Sequence, residues 1–196
     1  MRKILVSLAF VAAMAAPSLA NVYLDAYGLF LTSGDAEYQY GGGAGLGIDF
    51  LPDAGFVWRG MYGFSSFDAD TKKEETYGFM MQLFGVEYTY QVPQAYMGWK
   101  SSVMIGISEL SKEYKEYDTM SMDYKSRDKR EIGMSVGIWT GVIFYVSQHV
   151  APFIDVGYHY SYFSGDFADD LIHGAHIMLG VRFTLWQKNR SIYNQY

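Results

Sequence analysis

Eight times along this chain, apolar side chains alternate with glycine, serine or charge for ten residues or more. The clearest case is residues 179–186, where Leu179, Val181, Phe183 and Leu185 alternate with Gly180, Arg182 and Thr184. A period of two is a strand with two unlike faces. Here one face is apolar, while the other carries a glycine and a cation. That second face suits neither a lipid surface nor a dry core, so the two sides of the sheet meet different surroundings.

The remaining segments repeat the pattern. Expected strands cover 22–31, 38–51, 55–65, 76–90, 96–110, 131–146, 152–162 and 171–186. On the second, Ala44, Leu46, Ile48 and Phe50 oppose Gly43, Gly45, Gly47 and Asp49. On the sixth, Ile132, Met134, Val136 and Ile138 oppose Gly133, Ser135, Gly137 and Trp139. The fourth is ambiguous in phase. Turning Phe84, Val86 and Tyr88 outward and Glu87 inward also turns Gln82 outward, and a bulge near Gln82 would correct this. Short turns at 52–53, 92–94 and 147–151 alternate with longer polar segments at 32–37, 66–75, 111–130 and 163–170.

An even number of strands, each long enough for the roughly 9–11 tilted residues that cross a bilayer, predicts an all-β fold. Its form is an eight-stranded antiparallel up-and-down transmembrane β-barrel, closed because hydrocarbon offers no partner to a free sheet edge. A secreted β-sandwich would also alternate. It would not explain the short-long order of the connections, nor the aromatic residues gathered at strand ends. Trp58, Tyr88, Tyr90, Tyr96 and Trp99 lie by the turns; Tyr40, Tyr62, Tyr77 and Tyr160 lie towards the loops. Such girdles mark the two interfaces of a membrane.

Residues 1–20 are expected to be a cleaved signal peptide. Arg2 and Lys3 precede an apolar run, and Ser18-Leu19-Ala20 offers small residues at a cleavage site. The run is shorter than the ~18–20 residues of a spanning helix. The barrel then occupies 21–186, with 187–196 a short periplasmic tail. Losing Arg2 and Lys3 leaves 13 basic residues against 21 acidic, so nucleic acid is not an expected partner. Cysteine is absent, so no disulfide staples the fold.

The pattern places seven charges on the inner face near the periplasmic turns: Asp25, Asp49, Arg59, Glu87, Lys100, Asp155 and Arg182. Buried charges require partners, and an eight-stranded lumen is just wide enough for side chains to fill it. These residues are therefore expected to form a salt-bridged plug, with Trp139 or Gly141 of the sixth strand as filler or space. Above them the inner residues are small or soft, including Gly43, Gly45, Gly137, Met61 and Met104. Two readings follow: glycines filled by neighbouring side chains, or a shallow vestibule open to the outside.

No cofactor motif is present. The glycine run 41–47 has no G-x-G-x-x-G frame and no following helix. His159 and His176 could be lumen neighbours, but two imidazoles without cysteine favour hydrogen bonding over a metal. The segment Lys112 to Arg130 mixes charges of both signs, as a solvated loop or a surface contact would.

In length, strand count and loop order the chain resembles the family of small outer-membrane barrels that includes OmpX, OmpW and the N-terminal domain of OmpA. Gly180-x-x-Phe183-x-Leu185 is similar to the last-strand signal read by the barrel assembly machinery. Met178 stands where that signal prefers a polar residue, and the chain runs on to Tyr196. The resemblance implies a bacterial outer-membrane location, with outer-membrane lipids and the assembly machinery as partners and a possible surface ligand at 111–130. It implies a non-catalytic protein acting through its loops in adhesion, surface interaction or envelope integrity. An alternative is an OmpW-like barrel passing small apolar or amphipathic solutes. His159-Tyr160-Ser161 is also similar to the His-x-Ser of lipid A deacylases, a more distant alternative. That family continues with Asn where Tyr162 stands, and follows with a Glu that this chain lacks after Glu131.

Overall fold

The fold is seen in a computed structural model that describes residues 21–33, 36–51, 53–67, 75–92, 95–118, 123–164 and 172–186. The proposed signal peptide, the tail after 186 and the side chain of Tyr77 lie outside the described residues. Eight strands follow in chain order: β1 (Val22–Ser33), β2 (Ala36–Asp49), β3 (Ala54–Phe67), β4 (Glu75–Gln91), β5 (Met97–Asp118), β6 (Asp123–Phe144), β7 (Val150–Phe163) and β8 (Ile172–Trp186). Each pairs antiparallel with the next, and β8 returns to β1, closing the barrel.

The two faces separate as the alternation requires. Val103, Ile105 and Ile107 of β5 and Ile132, Val136 and Ile138 of β6 lie exposed on the outside. A water-soluble monomer does not leave so broad an aliphatic surface uncovered. Tyr88, Tyr90, Tyr96 and Trp99 stand exposed at the turn end, and Tyr40, Tyr62 and Tyr160 towards the other. An aliphatic band between two aromatic rims is the outer surface of a membrane-spanning barrel.

The pairing corrects two expectations. β4 runs in unbroken register, from Ala54↔Tyr88 to Phe67↔Glu75 on one side and from Thr76↔Glu113 to Gln91↔Gly98 on the other. There is no bulge at Gln82. The amide faces outward because the indole Nε1 of Trp58 donates to its Oε1 at 3.0 Å, so it finds a partner on the apolar face. The segment 111–130 is not a loop for most of its length. β5 and β6 stay paired from Ser111↔Arg130 to Asp118↔Asp123. Above the bilayer nothing forces apolar and polar residues to alternate, so a polar hairpin reads as loop in the sequence.

Inside, the upper lumen is packed with Leu29, Leu31, Met61, Phe79, Met81 and Leu83, all buried. The inward glycines give room to neighbouring rings, from an adjacent strand or, for Gly137, from two residues along β6. A Cβ on Gly47 would meet the Tyr23 ring, one on Gly43 the Tyr27 ring, and one on Gly137 or Gly157 the Trp139 indole. At Gly43 and Gly137, above the ion chain, these are glycines filled by neighbouring side chains, the first of the two readings of the upper lumen.

Candidate functional site

Six of the seven inward charges meet in one chain of contacts, assembled from six strands. Lys100 Nζ of β5 lies 2.9 Å from Asp155 Oδ2 of β7, which is 3.3 Å from Arg59 Nη2 of β3. Arg59 Nη2 donates to Glu87 Oε2 of β4 at 2.8 Å. Glu87 Oε1 accepts from Arg182 Nη2 of β8 at 2.7 Å. Arg182 then grips Asp25 of β1 with two bonds, Nε to Oδ1 and Nη2 to Oδ2, each 2.8 Å. Three acids and three bases alternate along the chain, so it carries no net charge. None of these side chains is more than 7% exposed.

Glycine makes the meeting possible. Lys100 and Asp155 are not on adjacent strands; each is the register partner of Gly141 on β6, between them. A Cβ on Gly141 would collide with Asp155 Oδ1. Gly45 stands likewise between Asp25 and Arg59. Both sequence expectations for the sixth strand hold at once: Gly141 leaves space and the buried Trp139 fills it.

Rings complete the surroundings. The Arg182 guanidinium lies 3.6 Å from the centre of the Tyr23 ring, and Lys100 Nζ lies 3.4 Å from that of Phe153. Such contacts stabilise desolvated cations. The Tyr23 hydroxyl donates to Glu87 Oε1 at 3.0 Å. Tyr23 is inward in the sequence pattern, but its bond to a residue 64 positions away leaves no local trace.

Asp49 stands lower than the others. It pairs with Gly55 at the end of β2, four residues nearer the turn than Gly45, and is half-buried. Asn21 Nδ2 donates to its Oδ2 at 2.8 Å. Alternation gave its face correctly; its height depends on strand stagger.

A second polar cluster sits higher on β5 to β8. His176 Nε2 and His159 Nδ1 are hydrogen-bonded partners, and Ser135 joins Ser108 and Ser161. Among the described residues no group of three metal-ligating side chains occurs. His159 and Ser161 are fully buried on the lumen side, away from the lipid surface. Of the last-strand residues, Phe183 and Leu185 point outward. Gly180 opposes Tyr27, and a Cβ there would crowd Phe153 and Tyr27.

A closed all-antiparallel barrel of eight strands with an apolar outer face is the fold of the small outer-membrane barrel proteins. Solved structures with this fold include a major outer membrane protein from Thermus thermophilus, at a TM-score of 0.57 and 12% identity, covering 85% of this chain and 99% of that one. Ail, the attachment invasion locus protein of Yersinia pestis, matches at 0.55 and 12%, covering 85% and 97%. Neisserial surface protein A matches at 0.53 and 14%, with the same coverage. At these identities the likeness speaks for the fold. No protein-family model matches the sequence, and no curated protein matches it.

Proposed function

We propose that this is a non-catalytic protein of the bacterial outer membrane, exported through a signal peptide cleaved after Ala20. Its lumen is closed by the ion chain, and it acts at the cell surface through the β5–β6 hairpin.

The hairpin carries the reading. β5 and β6 are 22 residues each, against 12 to 17 for the other strands. The last pairing of β6 with β7 is Gly133↔Phe163, yet β6 continues through 132 to 123. Those ten residues run about 33 Å past the last β6–β7 pairing, at roughly 3.3 Å per residue, while β4 stays paired with β5 only as far as Thr76↔Glu113. Among the described residues, no strand covers this stretch on its β7 side. An uncovered edge presents backbone donors and acceptors to an incoming strand, which is how β-augmentation binds peptides and proteins. In a barrel whose interior is filled, contact outside is the activity the geometry supports. One similar protein, Ail, is named for attachment and invasion, and it has been crystallised with the heparin analogue sucrose octasulfate.

The test replaces residues 114–127 with an Asn-Gly turn and compares the shortened and parent barrels in lipid vesicles. Heat-modifiable migration on gels reports whether the barrel stays closed. Retention is measured on surfaces coated with extracellular-matrix protein or with heparin. The parent is expected to be retained on the protein surface and the shortened form to pass through. Equal retention of the two forms, or no retention of the parent on either surface, counts against the reading. The closed lumen is tested separately in a planar bilayer, where steady ohmic conductance of the parent would refute it.

A further inference from the structure

Seven of the eight pairings join strands that follow one another in sequence, and their connections help to fix register. The eighth, β1 with β8, joins the two ends of the chain. Alternation forbids a slip of one residue at this seam, because it would turn each lipid-facing side chain into the lumen. It does not forbid a slip of two. Leu24, Ala26 and Gly28 on β1, and Leu179, Val181 and Phe183 on β8, would still face lipid. The end of β8 gives no guide either. Trp186 opposes Val22 while Thr184 opposes Tyr23, so the strand is irregular there.

We propose that Asp25 and Arg182 are the register selector of the closing seam. They are register partners on β1 and β8, just above the irregularity. Their two-bond contact is made by buried side chains. A slip of two in one direction sets Asp25 opposite Gly180 and Arg182 opposite Tyr23; in the other, Asp25 meets Thr184 and Arg182 meets Tyr27. Either slip separates two charges inside a closed lumen. Either slip also draws Arg182 away from Glu87, which it binds at 2.7 Å, and the remaining acid of the ion chain, Asp155, already holds Lys100 and Arg59. Tyr27 reinforces the choice. It opposes Gly180, where a Cβ would lie 2.7 Å from its own. A slip of two would bring Met178 or Arg182 to that place.

The chain has no cysteine, so introduced pairs report register directly. Ala26→Cys is combined with Val181→Cys for the native register, or with Leu179→Cys or Phe183→Cys for a slip of two either way. All four positions face outward, leaving the lumen intact. Directly opposed residues lie within disulfide range; residues displaced by two lie beyond it. Each pair is refolded into phospholipid vesicles and oxidised. With Asp25 and Arg182 present, only the 26–181 pair is expected to cross-link. In Arg182→Met, which gives up both acids, slipped cross-links should rise by about tenfold or more; in Asp25→Asn, where Glu87 still holds Arg182 in the native register, they should rise by less. Lys100→Met cuts the same ion chain away from the seam and should leave the 26–181 pair dominant. Three results would overturn the proposal: native cross-links alone in both seam variants, equal slippage in Lys100→Met, or failure of both seam variants to fold while Lys100→Met folds. The last counts against it because losing a selector leaves strands free to pair elsewhere.

Discussion

Glu87→Gln removes one charge from the middle of the ion chain and keeps the side chain's shape. With its amide oxygen in the Oε1 place, the glutamine still accepts from Tyr23 and Arg182, while its amide nitrogen faces the Arg59 donor, so one acceptor is lost along with the charge. Glu87 holds Arg59 at 2.8 Å and Arg182 at 2.7 Å. With charge centres about 4 Å apart and an effective dielectric near 20, each attraction is worth about 4 kcal/mol before solvation is counted. Removing the carboxylate also removes its own desolvation cost, several kcal/mol, which offsets much of that loss. Each arginine keeps a second partner, Asp155 for Arg59 and Asp25 for Arg182. The net expectation is the usual cost of breaking a buried pair from one side, about 3 kcal/mol. The assay is reversible urea unfolding of the barrel refolded in lipid vesicles. For a slope of about 1–3 kcal/mol per molar, the midpoint should fall by about 1–3 M. Asp49→Asn is the internal comparison: it lies half-buried at the rim and should cost less than about 1 kcal/mol. A Glu87→Gln midpoint that matches the parent, or an equal loss for Asp49→Asn, would refute the idea that the central chain holds the lumen together.

Four further outcomes follow from the same geometry, each read by urea midpoint. Asp155→Asn should cost about 3–5 kcal/mol because it strips Lys100 of its acid, whereas Lys100→Met leaves Asp155 with Arg59 and should cost clearly less. Adding Lys100→Met to Asp155→Asn should recover part of the loss. Gly141→Ala drives a methyl into Asp155 and the Ile154 carbonyl, and should cost about 1–3 kcal/mol. Trp139→Ala empties the space above the ion chain and should cost about 3–5 kcal/mol. On the lipid face, Gln82→Leu alone strands the Trp58 indole donor and should destabilise by about 1–3 kcal/mol, while Gln82→Leu with Trp58→Phe should be nearly neutral.

The faces of the strands were legible because lipid imposes a rule on every second residue. Asp25, Arg59, Glu87, Lys100, Asp155 and Arg182 could each be placed inside from their own strand alone. Their order along the ion chain could not, since it depends on how far each strand is staggered against the next. The same gap misjudged Asp49, whose face was right and whose height was not. Gln82 prompted a bulge because a polar residue facing lipid looks like an error until its partner is known, and Trp58 lies 24 residues away. The hairpin escaped because polar residues above the membrane can form strand or loop with equal ease. Phe79, Met81 and Leu83 were available to a reader who kept strand 4 in one phase throughout.

The rings laid over glycines say something about how such a barrel can change over time. The volume inside is shared out between strands: where β1 brings Tyr23 and Tyr27, β2 brings no side chain at all. A larger side chain at one of these glycines would need a smaller one on the strand opposite, so a substitution at one inner position constrains its neighbour. Apart from the Trp58–Gln82 pair, the aliphatic outer positions are less constrained, because lipid accepts many aliphatic and aromatic shapes. Two chains can thus agree at about one position in eight, as this one and Ail do, and still close the same eight strands.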